Sequence, residues 1–338
     1  MNVGVIGYGY WGPNLVRNLV ATDDCVVAAV SDLRTERLAA IQKLYPAIQA
    51  TMSADDILDN EEIDAVAIAT PVLTHFPLVK KALLRGKHVL AEKPLTTSRA
   101  QAAELVNLAV ASNLTLMVDH TFLYTGAVKK IKQIIGKGEL GSLQYYDSTR
   151  INLGLFQHDI NVLWDLAAHD ISVLLHLIPK KPVGVQAIGV AHTDNGIENI
   201  AYLTLHYSNG FIAHCNCSWS SPVKVRQTYI GGSKKMILYN DLESSEKVKV
   251  YNSGYEIKTD ADRQTVLIGY RTGDVYSPNI DTKEALAEMA VDFVSACSHR
   301  TEPVSNSKLA YEVVSILEAA EISIKSNGSR INLLQEVA

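Results

Sequence analysis

Val3-Gly-Val-Ile6 is a short apolar run that stops at Gly7-Tyr-Gly-Tyr-Trp-Gly12, and Pro13–Val20 beyond it has helical spacing with proline in its first turn. A buried strand, a glycine turn and a helix in that order admit few folds. The pattern G-x-G-x-x-G is weak alone, but in this context each glycine has a task. Gly7 makes the tight turn, Gly9 lets the backbone approach a pyrophosphate, and Gly12 permits close packing of helix on strand. Phosphates would sit at the helix N-terminus, where N–H groups are unpaired. Asp32 ends the next apolar run, Val26–Ser31, about 20 residues past Gly12, where a carboxylate accepts hydrogen bonds from an adenosine ribose. That favours NAD; Arg34 nearby leaves NADP open. Tyr10 and Trp11 occupy the turn itself, where they either cover the cofactor or pack as partly buried aromatics.

Strands and helices continue to alternate. Helical patterns at Thr35–Leu44, Pro77–Arg85 and Arg99–Ser112 separate the apolar runs Ala65–Ala69, His88–Ala91 and Thr115–Asp119. Ser53 and Ser98 each begin a capping-box pattern. Fully apolar strands between helices predict a doubly wound parallel sheet over residues 1–120. The texture then changes. Gly126–Ile135 and Val162–Ile178 read as helices, among short alternating runs from Leu143–Asn152 to Thr265–Tyr270, with closing helices at Ala285–Ser298 and Leu309–Ser326 and a short strand at Arg330–Leu333. Residues 121–338 are therefore expected to form one substrate-binding and oligomerisation domain of α+β type, a large and mostly antiparallel open sheet flanked by helices.

Composition narrows the partners. With 31 Lys and Arg against 36 Asp and Glu, the net charge of −5 has the wrong sign for gripping nucleic-acid phosphates. No run reaches the 18 apolar residues of a membrane span, and Met1–Ile6 lacks the features of a signal peptide, so a cytoplasmic protein is expected. The cysteines, Cys25, Cys215, Cys217 and Cys297, are too scattered for a disulfide framework or a zinc site, and no metal is expected. Cys215 and Cys217 fall on one face of a strand and read as a small buried pair.

Glu92-Lys93-Pro94, preceded by the glycine loop and by Thr70-Pro71-Val-Leu-Thr-His75 and followed by Asp165-Leu-Ala-Ala-His169, resembles the Gfo/Idh/MocA family (glucose-fructose oxidoreductase and inositol dehydrogenase) over the whole chain. One departure is Val72, where related proteins often carry Asn. Tyr8–Gly12, Arg150–Gly154 and Tyr270–Asp274 are similar to the branch acting on nucleotide sugars. The resemblance implies an NAD-dependent oxidoreductase that moves a hydride to or from a secondary ring hydroxyl of a sugar, and a homodimer or homotetramer. It also implies cofactor contacts from Thr70, Pro71, His75, Glu92 and Lys93.

The residue types suit that chemistry. Oxidising an alcohol requires a base for its proton and a cation or donor for its oxygen. Lys93 lies at the carboxyl end of a parallel strand, where such sheets bind ligands. His169 and Asp165, four apart, are expected on one helix face, the carboxylate orienting the imidazole. Arg150 and Asn152 alternate onto one strand face and are candidates for a sugar hydroxyl or phosphate, or simply solvated. His120 and Tyr124 follow the last parallel strand and are candidates to line the substrate site. Alternatives are inositol or free-sugar oxidation, hydride-recycling glycoside cleavage or epimerisation with NAD retained, and, in another class, an NAD-sensing regulator.

Overall fold

A computed structural model describes residues 1–154, 156–256 and 269–333. They divide into two compact units, Met1–Thr125 with Lys283–Glu318, and Gly126–Thr282 with the chain from Ala319. This differs from the expected split at 120, because the closing helical segment Lys283–Glu318 returns to the first unit.

In the first unit the strands β1 (Asn2–Ile6), β2 (Val26–Ser31), β3 (Gln49–Thr51), β4 (Ala65–Ile68), β5 (His88–Ala91) and β6 (Leu116–Val118) form a parallel sheet in the order β3-β2-β1-β4-β5-β6. This is the dinucleotide-binding order, in which the chain reverses direction of travel between β1 and β4 and leaves a ligand crevice at their carboxyl ends. β4 is buried at every position, as its uniformly apolar sequence requires of a strand covered on both faces. The helices are α1 (Gly12–Val20), α2 (Thr35–Leu44), α3 (Ala54–Leu58), α4 (His75–Leu84) and α5 (Arg99–Ala111).

Ser53 caps α3 by accepting the Asp55 N–H at 3.2 Å. The matching box at Ser98 does not form. Thr96 instead occupies the turn with its hydroxyl on the Ser98 carbonyl, and the free N–H of Arg99 donates to Glu318 at 3.2 Å. A distant carboxylate thus replaces the local cap, which no neighbouring residue type could reveal.

The second unit begins with α6 (Gly126–Gly136) and β7 (Leu143–Leu153). One π-helical turn, Leu163–Ala167, leads directly into α7 (Ala168–Leu177). Strands β8 (Gly184–Val190), β9 (Ile200–His206), β10 (Ile212–Ser218), β11 (Ser220–Gly232), β12 (Met236–Asn240) and β13 (Val248–Tyr251) follow. A pair formed by β14 (Gly254–Glu256) and β15 (Gly269–Arg271) stands apart from them. Thr265–Ile268 of the expected strand lies outside the described residues. β16 (Val275–Tyr276) and β17 (Ile331–Asn332) complete the strands of this unit, while α8 (Ala285–His299) and the start of α9 (Ser307–Lys325) belong to the first unit.

Nine described strands make one sheet, β16-β13-β12-β11-β7-β10-β9-β8-β17, antiparallel throughout except for the β7–β10 pairing. Its alternation is visible in β8 to β10. Val185, Ala187, Ala201, Leu203, Leu205, Ala213, Cys215 and Cys217 are buried, while Ile188, Val190, Tyr202 and Ile212 on the other face are exposed. Both cysteines are thus small core residues of one face, and their burial pushes both thiols well above the usual range. Among the described residues no helix is long and apolar enough to cross a membrane.

Candidate functional site

The glycine loop follows directly from β1. Gly7 has φ +97°, and a Cβ there would lie 2.6 Å from the Ala69 carbonyl oxygen. A Cβ on Gly12 would come within 2.3 Å of the Gly7 oxygen. Gly9 differs, because a Cβ there meets only the flexible end of Arg34, at 3.5 Å. The fold itself therefore demands Gly7 and Gly12 but leaves Gly9 unneeded, which fits a backbone kept bare for a pyrophosphate. Within the loop Tyr10 is 89% exposed, whereas Trp11 is tied down, its indole N–H donating to Asp119 at 2.6 Å.

Asp32 lies just past the end of β2. One carboxylate oxygen accepts the Tyr8 N–H at 2.8 Å, and the other accepts the N–H of Arg34 at 3.0 Å and its Nε at 3.1 Å. Burial pushes this carboxyl up, but the Arg34 side chain and the two backbone donors outweigh it and hold it below the ordinary value.

Thr70-Pro71 leaves β4 and Glu92-Lys93-Pro94 leaves β5, so both segments sit at carboxyl ends of adjacent strands. The Lys93 N–H donates to the Glu92 carboxylate, and the Lys93–Pro94 peptide is cis. His75, expected among cofactor contacts, is instead buried, with Nδ1 2.9 Å from the Pro94 oxygen and Nε2 2.8 Å from the Thr70 oxygen. Its nitrogens face the protein backbone.

Past β6, Asp119 is fully buried and also takes the backbone and hydroxyl donors of Thr121. Burial raises its carboxyl, partly countered by Thr121, Trp11 and the Lys93 charge. His120 is buried too, and neither ring nitrogen has a hydrogen-bond partner among the described residues. Burial, then the Lys93 charge, pushes its pKa down to about 3, so it is a neutral polar ring that could serve a bound group only as hydrogen-bond donor or acceptor. Tyr124, a candidate to line the substrate site, is buried. Its hydroxyl donates to Asp292 at 2.6 Å and accepts the Ser305 N–H at 3.1 Å, inside the first unit.

In the second unit, residues 161–174 are buried with two exceptions, Asp165 and His169. Asn161 caps the stretch, accepting the Leu163 N–H at 3.1 Å. The expected uninterrupted α-helix is replaced at Leu163–Ala167 by the π turn, which widens the spacing just before His169; such turns recur at functional sites. Asp165 accepts the indole N–H of Trp219 at 2.9 Å, so a residue in the bend between β10 and β11 that carried no site assignment fixes its orientation.

Arg150, a candidate for a sugar hydroxyl or phosphate, is buried in an ion pair. Its Nε and Nη2 pair with both oxygens of Asp170 at 3.0 and 2.9 Å, and both side chains are buried. The pair ties β7 to α7. Asn152 is half-buried at the end of that strand. Among the described residues no three His, Cys, Asp or Glu side chains group as a metal site.

The structure therefore gathers the glycine loop, Asp32, Thr70, Pro71, Glu92 and Lys93 at the carboxyl ends of one parallel sheet, and sets Asp165 and His169, both half-buried, on a helical stretch of the other unit. Asp119 and Trp219 were missed. An acidic residue closing an apolar strand was the available signal for Asp119; nothing marked Trp219.

Residues 1–120 match the family model described as an oxidoreductase family with an NAD-binding Rossmann fold, and residues 128–238 match the GFO/IDH/MocA C-terminal domain. The chain is 32% identical over 227 residues to UDP-N-acetylglucosamine 3-dehydrogenase of Acidithiobacillus ferrooxidans, covering 64% of this chain and 67% of that protein. A solved structure of that enzyme aligns over 96% of this chain and 98% of its own, with a TM-score of 0.81 and 25% identity. A dTDP-3,4-didehydro-2,6-dideoxy-alpha-D-glucose 3-reductase of Streptomyces antibioticus is 37% identical over 126 residues, only 37% of this chain and 38% of that protein. With its glycine loop, its E-K-P turn and both domains matched, this chain belongs to the Gfo/Idh/MocA family of NAD-binding oxidoreductases.

Proposed function

We propose that this oxidoreductase transfers a hydride between NAD and a secondary ring hydroxyl or ketone of a nucleotide sugar, with Lys93 and His169 in the acid and base roles. The observation that carries the reading is that Asp165 and His169, four residues apart in a helical stretch, are only half-buried while the other residues from 161 to 174 are buried. NAD when bound supplies the hydride acceptor, and the glycine loop, Asp32, Thr70, Pro71 and Glu92 are the residues that would hold it. His169 accepts the hydroxyl proton, Asp165 orients the imidazole or binds substrate, and the Lys93 ammonium steadies the oxygen as charge develops. His120 and Asn152 are proposed substrate contacts. The names of the two relatives, both acting on nucleotide-linked sugars at position 3, support the substrate class.

A homo-oligomer is proposed as well, supported by Ile188, Val190, Tyr202 and Ile212 standing exposed on one sheet face. Light scattering showing a stable monomer at micromolar concentration would contradict it.

The substrate reading is tested by calorimetric titration of the NAD-loaded protein with UDP-, dTDP- and GDP-sugars against the free sugars and inositols. Binding confined to one or more nucleotide sugars is expected. Binding only to a free sugar or inositol would overturn the substrate class.

A further inference from the structure

Two strand-end segments meet at one buried ring. Ile68 and Ala91 are register partners at the carboxyl ends of β4 and β5, so Thr70-Pro71 and Lys93-Pro94 emerge side by side. His75 opens α4 with 1% exposure and reaches both, Nδ1 to the Pro94 oxygen at 2.9 Å and Nε2 to the Thr70 oxygen at 2.8 Å. Pro94 has no N–H to give, and the Lys93 N–H is taken by Glu92. The Pro94 carbonyl is therefore a remaining backbone handle on this turn, one residue from Lys93, and the imidazole holds it. Burial keeps the imidazole below its ordinary pKa despite the upward pull of the Pro94, Thr70 and Leu95 carbonyls, so near neutral pH it carries a single N–H, which can serve only one of the two carbonyls; the tautomer with that proton on Nδ1 serves Pro94.

We propose that His75 is a positioning residue for Lys93: its Nδ1–H on the Pro94 carbonyl fixes the turn from which Lys93 projects, without touching cofactor or substrate. The inference rests on the acid–base role proposed for Lys93. Displacing a catalytic group by about 1 Å costs on the order of 100-fold in rate, so a backbone anchor one residue away is enough to matter.

Two substitutions separate the two ends of the ring. Asparagine places its amide nitrogen near the Nδ1 position and can keep the Pro94 bond; glutamine places its own near Nε2, where it can donate to the Thr70 carbonyl but not to the Pro94 one. The full-length His75→Asn and His75→Gln proteins are compared with the parent for kcat and KM, melting temperature, and NMR of lysines reductively methylated with carbon-13, the Lys93 signal being the one missing from Lys93→Arg. His75→Asn is expected to keep the Lys93 signal in place and kcat within about tenfold. His75→Gln is expected to move that signal and to lower kcat by about 100-fold with KM little changed, at a melting temperature no lower than that of His75→Asn. The proposal is overturned if both variants leave the Lys93 signal unmoved, or if both move it in step with lost thermal stability. The NMR comparison needs no substrate, so it decides the role of His75 even if the proposed nucleotide-sugar activity fails.

Discussion

Trp11, in the middle of the glycine loop, donates its indole N–H to Asp119 at the end of β6, 2.6 Å away and 108 residues along the chain. A loop that must present bare backbone to a pyrophosphate is thereby pinned by a side chain, leaving Gly9 uncovered. Trp11→Phe removes the donor and leaves a fully buried carboxylate one partner short, at a cost of about 1–3 kcal/mol. A matching fall in unfolding free energy, together with weaker NAD binding by fluorescence titration, is expected. Unchanged NAD affinity would show that the bond does not order the loop.

The glycines can be told apart. Gly9→Ala has space in the protein alone and should melt like the parent, yet lose NAD affinity by roughly 10- to 100-fold as its methyl group crowds the approaching pyrophosphate. Gly12→Ala should lose stability by about 1–3 kcal/mol or more, because the methyl group runs into the Gly7 carbonyl. Melting curves and calorimetric titration with NAD, run on both variants, check this contrast.

Arg150 and Asp170 form a buried pair with two parallel hydrogen bonds. Asp170→Ala strands the guanidinium and is expected to cost about 3–5 kcal/mol in denaturant unfolding, while the double replacement Arg150→Met with Asp170→Leu should restore much of it. If the single variant is as stable as the parent, the pair is not the tie between β7 and α7 that its geometry indicates.

Asp32 sets a pH dependence. Its folded pKa is held below the ordinary value by Arg34 and the backbone donors, so its stabilising contribution is fully present above the unfolded value, about 3.9, and is lost as pH falls through the folded one. The difference in melting temperature between the parent and Asp32→Asn should therefore be constant near neutrality and shrink below about pH 4. A difference that instead grows in acid would refute the sign.

The first sheet was legible because apolar runs covered on both faces, helical periodicity and the glycine turn all report local geometry. Most of what the sequence left hidden lies in long-range pairing. Arg150 alternated correctly onto a strand face, but that face turned out to be the buried one, with Asp170 waiting on a helix. Tyr124 was placed in the right turn and then claimed by Asp292. His75 was singled out by its motif, yet its two carbonyl partners depend on how β4 and β5 sit in register. The π turn before His169 left no trace in a stretch whose apolar residues fit an α-helix equally well. Ser98 shows that a cap pattern is only an offer, since its side chain makes no cap bond while Thr96 bonds the Ser98 backbone and Glu318 takes the Arg99 N–H.

The most direct test of the central claim is NADH formation, followed by its absorbance, when NAD is incubated with the nucleotide-sugar panel and the parent, Lys93→Ala or His169→Ala protein. The account predicts NADH with at least one nucleotide sugar for the parent. It also predicts a loss of about 100-fold or more in each variant, with NAD binding largely kept. Undiminished turnover in both variants would contradict the assignment of Lys93 and His169, and a parent that binds NAD tightly yet forms no NADH with any sugar would contradict net dehydrogenation.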